Sequence, residues 1–140
     1  MEIQLRSMIQ MEYSNKVMET FRNPKNIGEI KNAGAVGKVG NPTCGDLMWL
    51  FLKFEKKNNE IYIKDVKVKT FGCVAAIASS SILTEMIKGK PLKYAESLEK
   101  TDIVNKLDGL PKQKIHCSLL ALDALKDAVQ KYRKKQKQET

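Results

Sequence analysis

The chain contains three cysteines, and each lies in a different kind of local sequence. Cys44 lies in GNPTCGD, Cys73 in KTFGCVAAIASSS and Cys117 in KIHCSLLALDAL. Because no two of them form a C-x-x-C pair, the spacing argues against a zinc finger or a thioredoxin-type redox motif. Asp46 follows Cys44 by two residues, and His116, the only histidine, directly precedes Cys117. Three thiolates with one carboxylate or imidazole would complete a four-ligand site for a thiophilic metal or an iron–sulfur cluster.

The local sequence around each cysteine favours such a site. Predicted helices begin at Cys73 and Cys117, and a helix N-terminus stabilises thiolate, the form that binds metals and attacks sulfur. Cys44 lies at a glycine-flanked turn that enters a strand, and Gly45 and Gly72 allow the backbone to approach a ligand closely. A single cysteine is more often a buried core residue. Three cysteines beside turns or helix starts favour a shared site.

Two residues compete for the fourth ligand position. Asp46 would be a hard, exchangeable ligand that holds a cluster less tightly than a fourth thiolate does, although an aspartate beside glycine also commonly caps a turn. His116 is adjacent to a candidate ligand, and a lone histidine is otherwise most often structural. Lys114 could offset the negative charge of a thiolate-rich site. The residues alone leave the choice between Asp46 and His116 open.

Length and composition indicate one globular domain. The chain has 140 residues, of which 42% are hydrophobic and 29% charged, enough for an ordinary core. An odd number of cysteines without a signal peptide fits a reducing compartment. No apolar run reaches the roughly 20 residues that span a bilayer. We therefore predict a cytoplasmic protein without membrane association.

The chain is basic, with 25 Lys and Arg against 16 Asp and Glu and a net charge of +9. Much of this charge follows Lys126, where it suits the end of a solvated helix. Because aromatic residues are 6% of the chain and no nucleic-acid motif is present, nucleic-acid binding is not predicted. The positive charge is compatible with an acidic protein partner. No Ser-His-Asp arrangement or phosphate-binding loop indicates an enzyme.

Strand patterns come first and helix patterns follow, which predicts an α+β fold. The predicted elements are a helix over 14–22 capped by Ser14, an edge strand over 36–39, strands over 46–55 and 61–70, helices over 74–88, 92–98 and 101–107, and a long helix after Cys117. A phase change at Lys64–Asp65 predicts a bulge. Trp49 and Phe51 lie on the second face of their strand. Either a helix covers that face, or it is an exposed patch for self-association or a partner.

These segments resemble those of the IscU/NifU-type iron–sulfur cluster assembly scaffolds, from about Met11 to Tyr132. The matching motifs are Tyr13-Ser14, Asn23-Pro24, CGD at Cys44 to Asp46, Gly72-Cys73, AIASSS at Ala76 to Ser81, KGK at Lys88 to Lys90, TDI at Thr101 to Ile103 and KIHC at Lys114 to Cys117. The resemblance implies a small antiparallel three-stranded sheet packed against several helices, the SufE/NifU-like fold. It divides the chain into an extension of unclear role (1–10), one domain (11–134) and a basic tail (135–140).

The resemblance implies a scaffold rather than an enzyme. A cysteine desulfurase would deliver sulfur, a transient [2Fe–2S] cluster would form, and recipient apo-proteins would take it. The implied ligands are Cys44, Cys73 and Cys117, with Asp46 as the first choice for the fourth position and His116 as the second. Cys117 would also accept the sulfur. Members of this family also bind zinc.

The sequence departs from the family pattern at several positions. Residues 110–114 read LPKQK where the family has Leu-Pro-Pro-Val-Lys, so a dedicated Hsp70-type chaperone is not predicted. Val74-Ala75 makes one wall of the site bulkier, and Trp49 and Phe51 replace residues that are commonly polar, which favours a homodimer. The alternative function is that of a zinc-dependent SufU-type sulfurtransferase. The 43-residue interval between Cys73 and Cys117 and the presence of His116 favour the scaffold.

Overall fold

The computed structural model describes residues 13–41 and 45–139. Its helices and strands are α1 (Asn15–Arg22), β1 (Ala35–Asn41), β2 (Asp46–Lys57), β3 (Glu60–Phe71), α2 (Val74–Ile87), α3 (Leu92–Ser97), α4 (Lys100–Lys106) and α5 (His116–Glu139), with a 3-10 turn at Lys112–Lys114. The strands form one antiparallel sheet in the order β1-β2-β3. This arrangement confirms the predicted α+β fold. The predicted extension at residues 1–10 lies outside the described residues.

The first helix begins where the sequence predicts it. Ser14 is the N-cap of α1, and its hydroxyl accepts a hydrogen bond from the Val17 amide at 3.0 Å. The same hydroxyl donates to the carbonyl of Leu107. Ser14 therefore satisfies an amide at the helix start and ties α1 to the end of α4.

The hairpin between β2 and β3 is tighter than predicted, because only Asn58 and Asn59 form its turn. Both have positive φ, of 53° and 66°, which is the backbone of a type I′ turn. Lys53 pairs with Asp65 and Phe54 with Ile63, so Lys64 is the extra residue of a β-bulge. The bulge that the phase change in the sequence predicts is therefore confirmed. The bulge allows Ile63 and Val66, both fully buried, to point into the same core.

The core lies on one face of the sheet. Met48, Leu50 and Leu52 of β2 are fully buried there, as the alternation of the strand predicts. Helix α5 packs so closely on β1 that a Cβ at Gly37 would lie 1.9 Å from the carbonyl oxygen of Ala124. Gly37 therefore sets the distance between the sheet and the helix whose first turn carries Cys117.

Other chain segments occupy both edges of the sheet. At β1, the Lys38 amide donates to Asp127 at 2.9 Å, and the Lys131 ammonium donates to the Val36 carbonyl at 3.3 Å. At β3, Val68 forms two backbone hydrogen bonds with the loop between α1 and β1. Its amide donates to the Asn26 carbonyl at 2.8 Å, and its carbonyl accepts from the Gly28 amide at 2.9 Å. Addition of a strand to either edge is disfavoured where these groups are already bonded.

Helix α5 continues without a break to Glu139, through the predicted boundary at 134/135 between domain and tail. Whether the residues after 134 act as a separate basic tail stays a prediction. Among the helices that the structure describes, none combines the length and the apolar character needed to cross a membrane.

Candidate metal and cluster centre

Three elements bring the predicted site residues to one end of the sheet. Leu47 near the start of β2 pairs with Phe71 at the end of β3, so Asp46 lies beside the turn that leads from β3 into α2. Cys73 is the N-cap of α2, and Cys117 is the second residue of α5. The antiparallel sheet and the two helix starts therefore place side chains together that are up to 71 positions apart in the sequence.

Asp46, Cys73 and Cys117 form a compact cluster. The two sulfur atoms are 3.5 Å apart, and Oδ2 of Asp46 lies 3.9 Å from each of them. One ligand atom from each residue lies within 4.8 Å of the other two. Thiolate sulfur and carboxylate oxygen are donors that iron and zinc accept in proteins. The donor set therefore fits a thiophilic metal or an iron–sulfur cluster.

Cys44, the first predicted ligand, lies outside the described residues, and its ligand role stays a prediction. Gly45 is described and has a φ of 72°. This is the left-handed region, which glycine adopts at little cost. Gly45 therefore allows the sharp turn that leads into β2 at Asp46.

Gly72 makes room for one of the candidate ligands. A Cβ at this position would lie 2.7 Å from Oδ1 of Asp46 and 3.0 Å from Cβ of Ala76. The absent side chain therefore leaves the space that the carboxylate of Asp46 occupies. The predicted close approach of the Gly72 backbone to a bound ligand stays a prediction.

The two cysteines differ in protonation. A hydrogen bond from Cys117 lowers the pKa of Cys73 to about 6, with help from the Ala76 amide and against the effect of burial. The pKa of Cys117 is raised because its thiol donates that hydrogen bond and is buried. These opposite directions favour thiolate at Cys73 and thiol at Cys117. The prediction of thiolates at both helix starts stays a prediction.

Sequence reasoning missed the Ala76 amide. This amide lies in the first turn of α2 and is among the causes that lower the pKa of Cys73. A free amide in this position is expected wherever a cysteine is the N-cap of a helix. The predicted helix start was therefore the signal that could have identified it.

The candidates for the fourth ligand occupy different places. Asp46 is buried and contacts both thiols, whereas Nε2 of His116 lies 3.6 Å from the sulfur of Cys117. Among the described residues, the cluster of mutually close ligand atoms includes Asp46 and not His116. This geometry favours Asp46, and the identity of the fourth ligand stays a prediction.

Lys114 lies close enough to respond to the charge of the site. Its pKa is raised, mainly by the Cys73 thiolate and further by Tyr13, Cys117 and Asp46. The direction agrees with the predicted role of Lys114, which was to offset negative charge at the site.

Comparison with known proteins decides the family. Residues 12–139 match the model of the NifU-like N-terminal domain. This chain belongs to the NifU-like N-terminal domain family. It is 50% identical over 125 residues to the iron–sulfur cluster assembly scaffold protein IscU of Aquifex aeolicus, covering 89% of this chain and 78% of the relative. It is 47% identical over 129 residues to the IscU scaffold protein of Escherichia coli strain K12, covering 89% of this chain and 97% of the relative.

A solved structure supports the same fold assignment. It is a putative iron–sulfur cluster assembly scaffold protein for the SUF system from Fervidobacterium islandicum, with a TM-score of 0.63 and 28% identity. The similarity covers 85% of this NifU-like chain and 97% of that protein. The family predicted from the separated cysteine motifs is therefore confirmed.

Proposed function

We propose that this chain is a scaffold on which a transient [2Fe–2S] cluster is assembled from iron and desulfurase-derived sulfur and then passed to apo-proteins. The observation that carries the proposal is the convergence of Asp46, Cys73 and Cys117 within 4.8 Å at one end of the sheet. Cys44 is proposed as the third cysteine ligand. The names of the IscU relatives support this function.

The arrangement suits a cluster that is later released. Cys73 is already a thiolate at neutral pH, so it is ready to bind iron without first losing a proton. Asp46 supplies an oxygen ligand, which binds iron less tightly and exchanges more readily than a fourth thiolate. We propose Asp46 as the fourth ligand, with His116 as the alternative.

Cys117 is the proposed sulfur acceptor. Its thiol must first lose a proton, against the raised pKa of Cys117, and the sulfur of Cys73 lies 3.5 Å away to receive it. The Cys117 thiolate then attacks the outer sulfur of the donor's persulfide; a new S–S bond forms, the donor's S–S bond breaks and the donor cysteine leaves as a thiolate. Because Cys117 is fully buried and Cys73 is half-buried, delivery requires the donor to approach from the side of Cys73.

The alternative function is that of a zinc-dependent sulfurtransferase. The similarity to a scaffold protein of the SUF system is the observation that favours it. The 43-residue interval between Cys73 and Cys117 and the presence of His116 favour the scaffold. In the scaffold proposal the protein is a carrier and not an enzyme, and it acts in the cytoplasm.

Anaerobic reconstitution distinguishes the two functions. The purified protein is incubated with ferrous iron, sulfide and a thiol reductant, and its metal content and visible absorption are then measured. The scaffold proposal predicts two irons and two sulfides per cluster and loss of the cluster to an added apo-protein. Zinc that persists without iron uptake would contradict it and support the sulfurtransferase.

Cys73→Ser and Cys117→Ser should each abolish a stable cluster, and Ser118→Ala is the matched control on α5.

A further inference from the structure

The sulfur that a persulfide delivers is more oxidised than the sulfide that a cluster contains. A persulfide on Cys117 would hold its outer sulfur in an S–S bond, and this sulfur becomes sulfide only when that bond is broken by reduction. Each sulfur atom therefore needs two electrons after Cys117 has accepted it. Two thiols that join in a disulfide supply two electrons, so a second thiol beside Cys117 could carry out this reduction.

The sulfur atoms of Cys73 and Cys117 lie 3.5 Å apart. This separation is at the upper end of the range in which reacting atoms are held before a bond forms between them. An S–S bond is about 2.0 Å long, so the contact must shorten for the two sulfurs to join. At 3.5 Å no other atom fits between them.

The other groups around Cys117 cannot perform this step. In the described part of the chain, its sulfur also lies 3.6 Å from Nε2 of His116 and 3.9 Å from Oδ2 of Asp46. An imidazole and a carboxylate exchange protons, but neither forms a disulfide with a cysteine. Cys73 is therefore the described neighbour that can supply the electrons.

Burial favours this internal thiol over thiols in solution. Cys117 is fully buried, whereas Cys73 is half-buried. The sulfur of Cys117 would be the inner sulfur of the persulfide, and it offers no exposed surface to a small thiol. Attack by Cys73 needs no such access, and a neighbouring group that is already in contact avoids the cost of a bimolecular encounter.

We propose that Cys73 attacks the inner sulfur of a Cys117 persulfide and releases the outer sulfur as sulfide. The inference rests on the proposed function, in which Cys117 accepts the sulfur. A bond forms between the sulfurs of Cys73 and Cys117, the bond between the inner and outer sulfurs breaks, and its electron pair leaves with the outer sulfur. The thiol proton of Cys73 goes to the departing sulfur, so the products are a disulfide and hydrogen sulfide.

The disulfide must be reduced before both cysteines can act again. An external dithiol, of the chemical class of a reduced thioredoxin or dithiothreitol, supplies the two electrons. Its attack falls on the sulfur of Cys73, because this residue keeps some exposure, and Cys117 then leaves as a thiolate. Two such rounds yield the two sulfides of one [2Fe–2S] cluster.

The test follows one sulfur atom on the metal-free, full-length protein, without oxygen and without added thiol. A cysteine desulfurase and an equimolar amount of L-cysteine load the protein, and the desulfurase is then removed. Intact mass, peptide masses and released sulfide are measured over time. The test variant is Cys73→Ser, and the matched control is Ser118→Ala, which changes the neighbour of Cys117 but keeps both thiols. Cys44→Ser examines the remaining cysteine.

In the wild type, a mass gain of one sulfur atom at Cys117 should be replaced by a loss of two hydrogens. One sulfide should be released for each disulfide, and peptide masses should assign this disulfide to Cys73 and Cys117. Ser118→Ala should behave like the wild type, and Cys44→Ser should form the same disulfide. Cys73→Ser should keep the persulfide about tenfold longer or more, because the contacting thiol is lost. The wild-type peptide masses test the proposal even if Cys73→Ser does not fold.

Four results would overturn the proposal. They are a wild-type persulfide that persists until an external thiol is added, sulfide release from Cys73→Ser at the wild-type rate, movement of the outer sulfur to Cys73 as a new persulfide, and no uptake of sulfur by Cys117. Failure of the proposed function is a separate result. It appears as absent cluster formation from iron and inorganic sulfide, which bypass the persulfide.

Discussion

The starts of α2 and α5 both carry a cysteine, yet the two thiols have opposite properties. Cys73 is half-buried and has a pKa lowered to about 6, whereas Cys117 is fully buried and has a raised pKa. Both lie at a helix N-terminus, which on its own favours thiolate. The opposite pKa directions arise from the hydrogen bond between the two sulfurs and from burial, which act on these thiols in addition to the helix start.

The position of Asp46 beside these two thiols depends on a glycine, and Gly72→Ala should have the largest effect. Its Cβ would lie 2.7 Å from Oδ1 of Asp46, so the carboxylate must shift from its position beside the two sulfurs. We expect a loss of zinc or cluster affinity of about 10- to 100-fold, the scale seen when the support of a metal ligand is removed. Competition with a chelator and the lifetime of the reconstituted cluster measure it.

Gly40→Ala is the matched control for this substitution. Its Cβ would also come within 2.7 Å of another atom, but that atom is the terminal Cδ2 of Leu47. A flexible side-chain end on an exposed residue can move aside, whereas the buried Asp46 carboxylate cannot move without leaving the site. Equal loss of metal affinity in both variants would show that Gly72 acts through general packing.

The second prediction tests why Cys73 is acidic. In a Cys44→Ser background, the rate of Cys73 alkylation should rise with pH through a midpoint of about 6. Cys117→Ala removes the thiol that donates to Cys73, so the midpoint should move upward toward the free-cysteine value of about 8.5. Near pH 7 the rate should then fall by about tenfold or more, because the thiolate fraction falls. Mass spectrometry of the alkylated peptide assigns the reaction to Cys73.

Cys117→Ser is the informative control for that experiment. A serine hydroxyl can still donate to the Cys73 thiolate, so the midpoint should stay closer to 6 than it does in Cys117→Ala. Identical midpoints in the two variants would mean that the hydrogen bond does not cause the lowered pKa.

The third prediction concerns the negative charge of Asp46, which acts on both cysteines. Asp46 raises the pKa of both Cys73 and Cys117 through its negative charge. Asp46→Asn should therefore move the alkylation midpoint of Cys73 downward, opposite to the effect of Cys117→Ala.

For the reconstituted cluster, Asp46→Ala should change the spectrum or the lifetime more than His116→Ala does. Indistinguishable spectra and decay for the wild type and Asp46→Ala would instead favour His116 as the fourth ligand.

Sequence reasoning predicted the elements of the fold well because each had a local cause. Ser14 provides a cap, and the shift from Ile63 to Val66 requires a bulge whatever the tertiary structure. The hairpin turn was predicted too long, because whether Lys57 and Glu60 extend the strands depends on pairing across the hairpin. The family followed from the order of separated motifs, which a chance match does not reproduce.

The parts of the site that the sequence left open depend on distances between elements. Nothing near Cys117 in the sequence indicates that its thiol lies 3.5 Å from another sulfur, so its protonation could not be predicted from its helix start. The steric role of Gly72 likewise requires the pairing of Leu47 with Phe71. These facts arise only when β2, β3 and α2 meet.

The smallest expected effects are on the free energy of unfolding, and they compare the starts of α1 and α2. At α1 the Ser14 hydroxyl accepts from the Val17 amide, whereas the Cys73 side chain makes no capping bond at α2. Ser14→Ala should lower the free energy of unfolding by about 1–2 kcal/mol, as loss of a cap does. In the metal-free protein Cys73→Ser should change it by less than about 1 kcal/mol and raise it if serine caps α2. Urea unfolding under reducing conditions measures both. A stability gain would mean that the start of α2 carries a cysteine for its chemistry, at the expense of a helix cap.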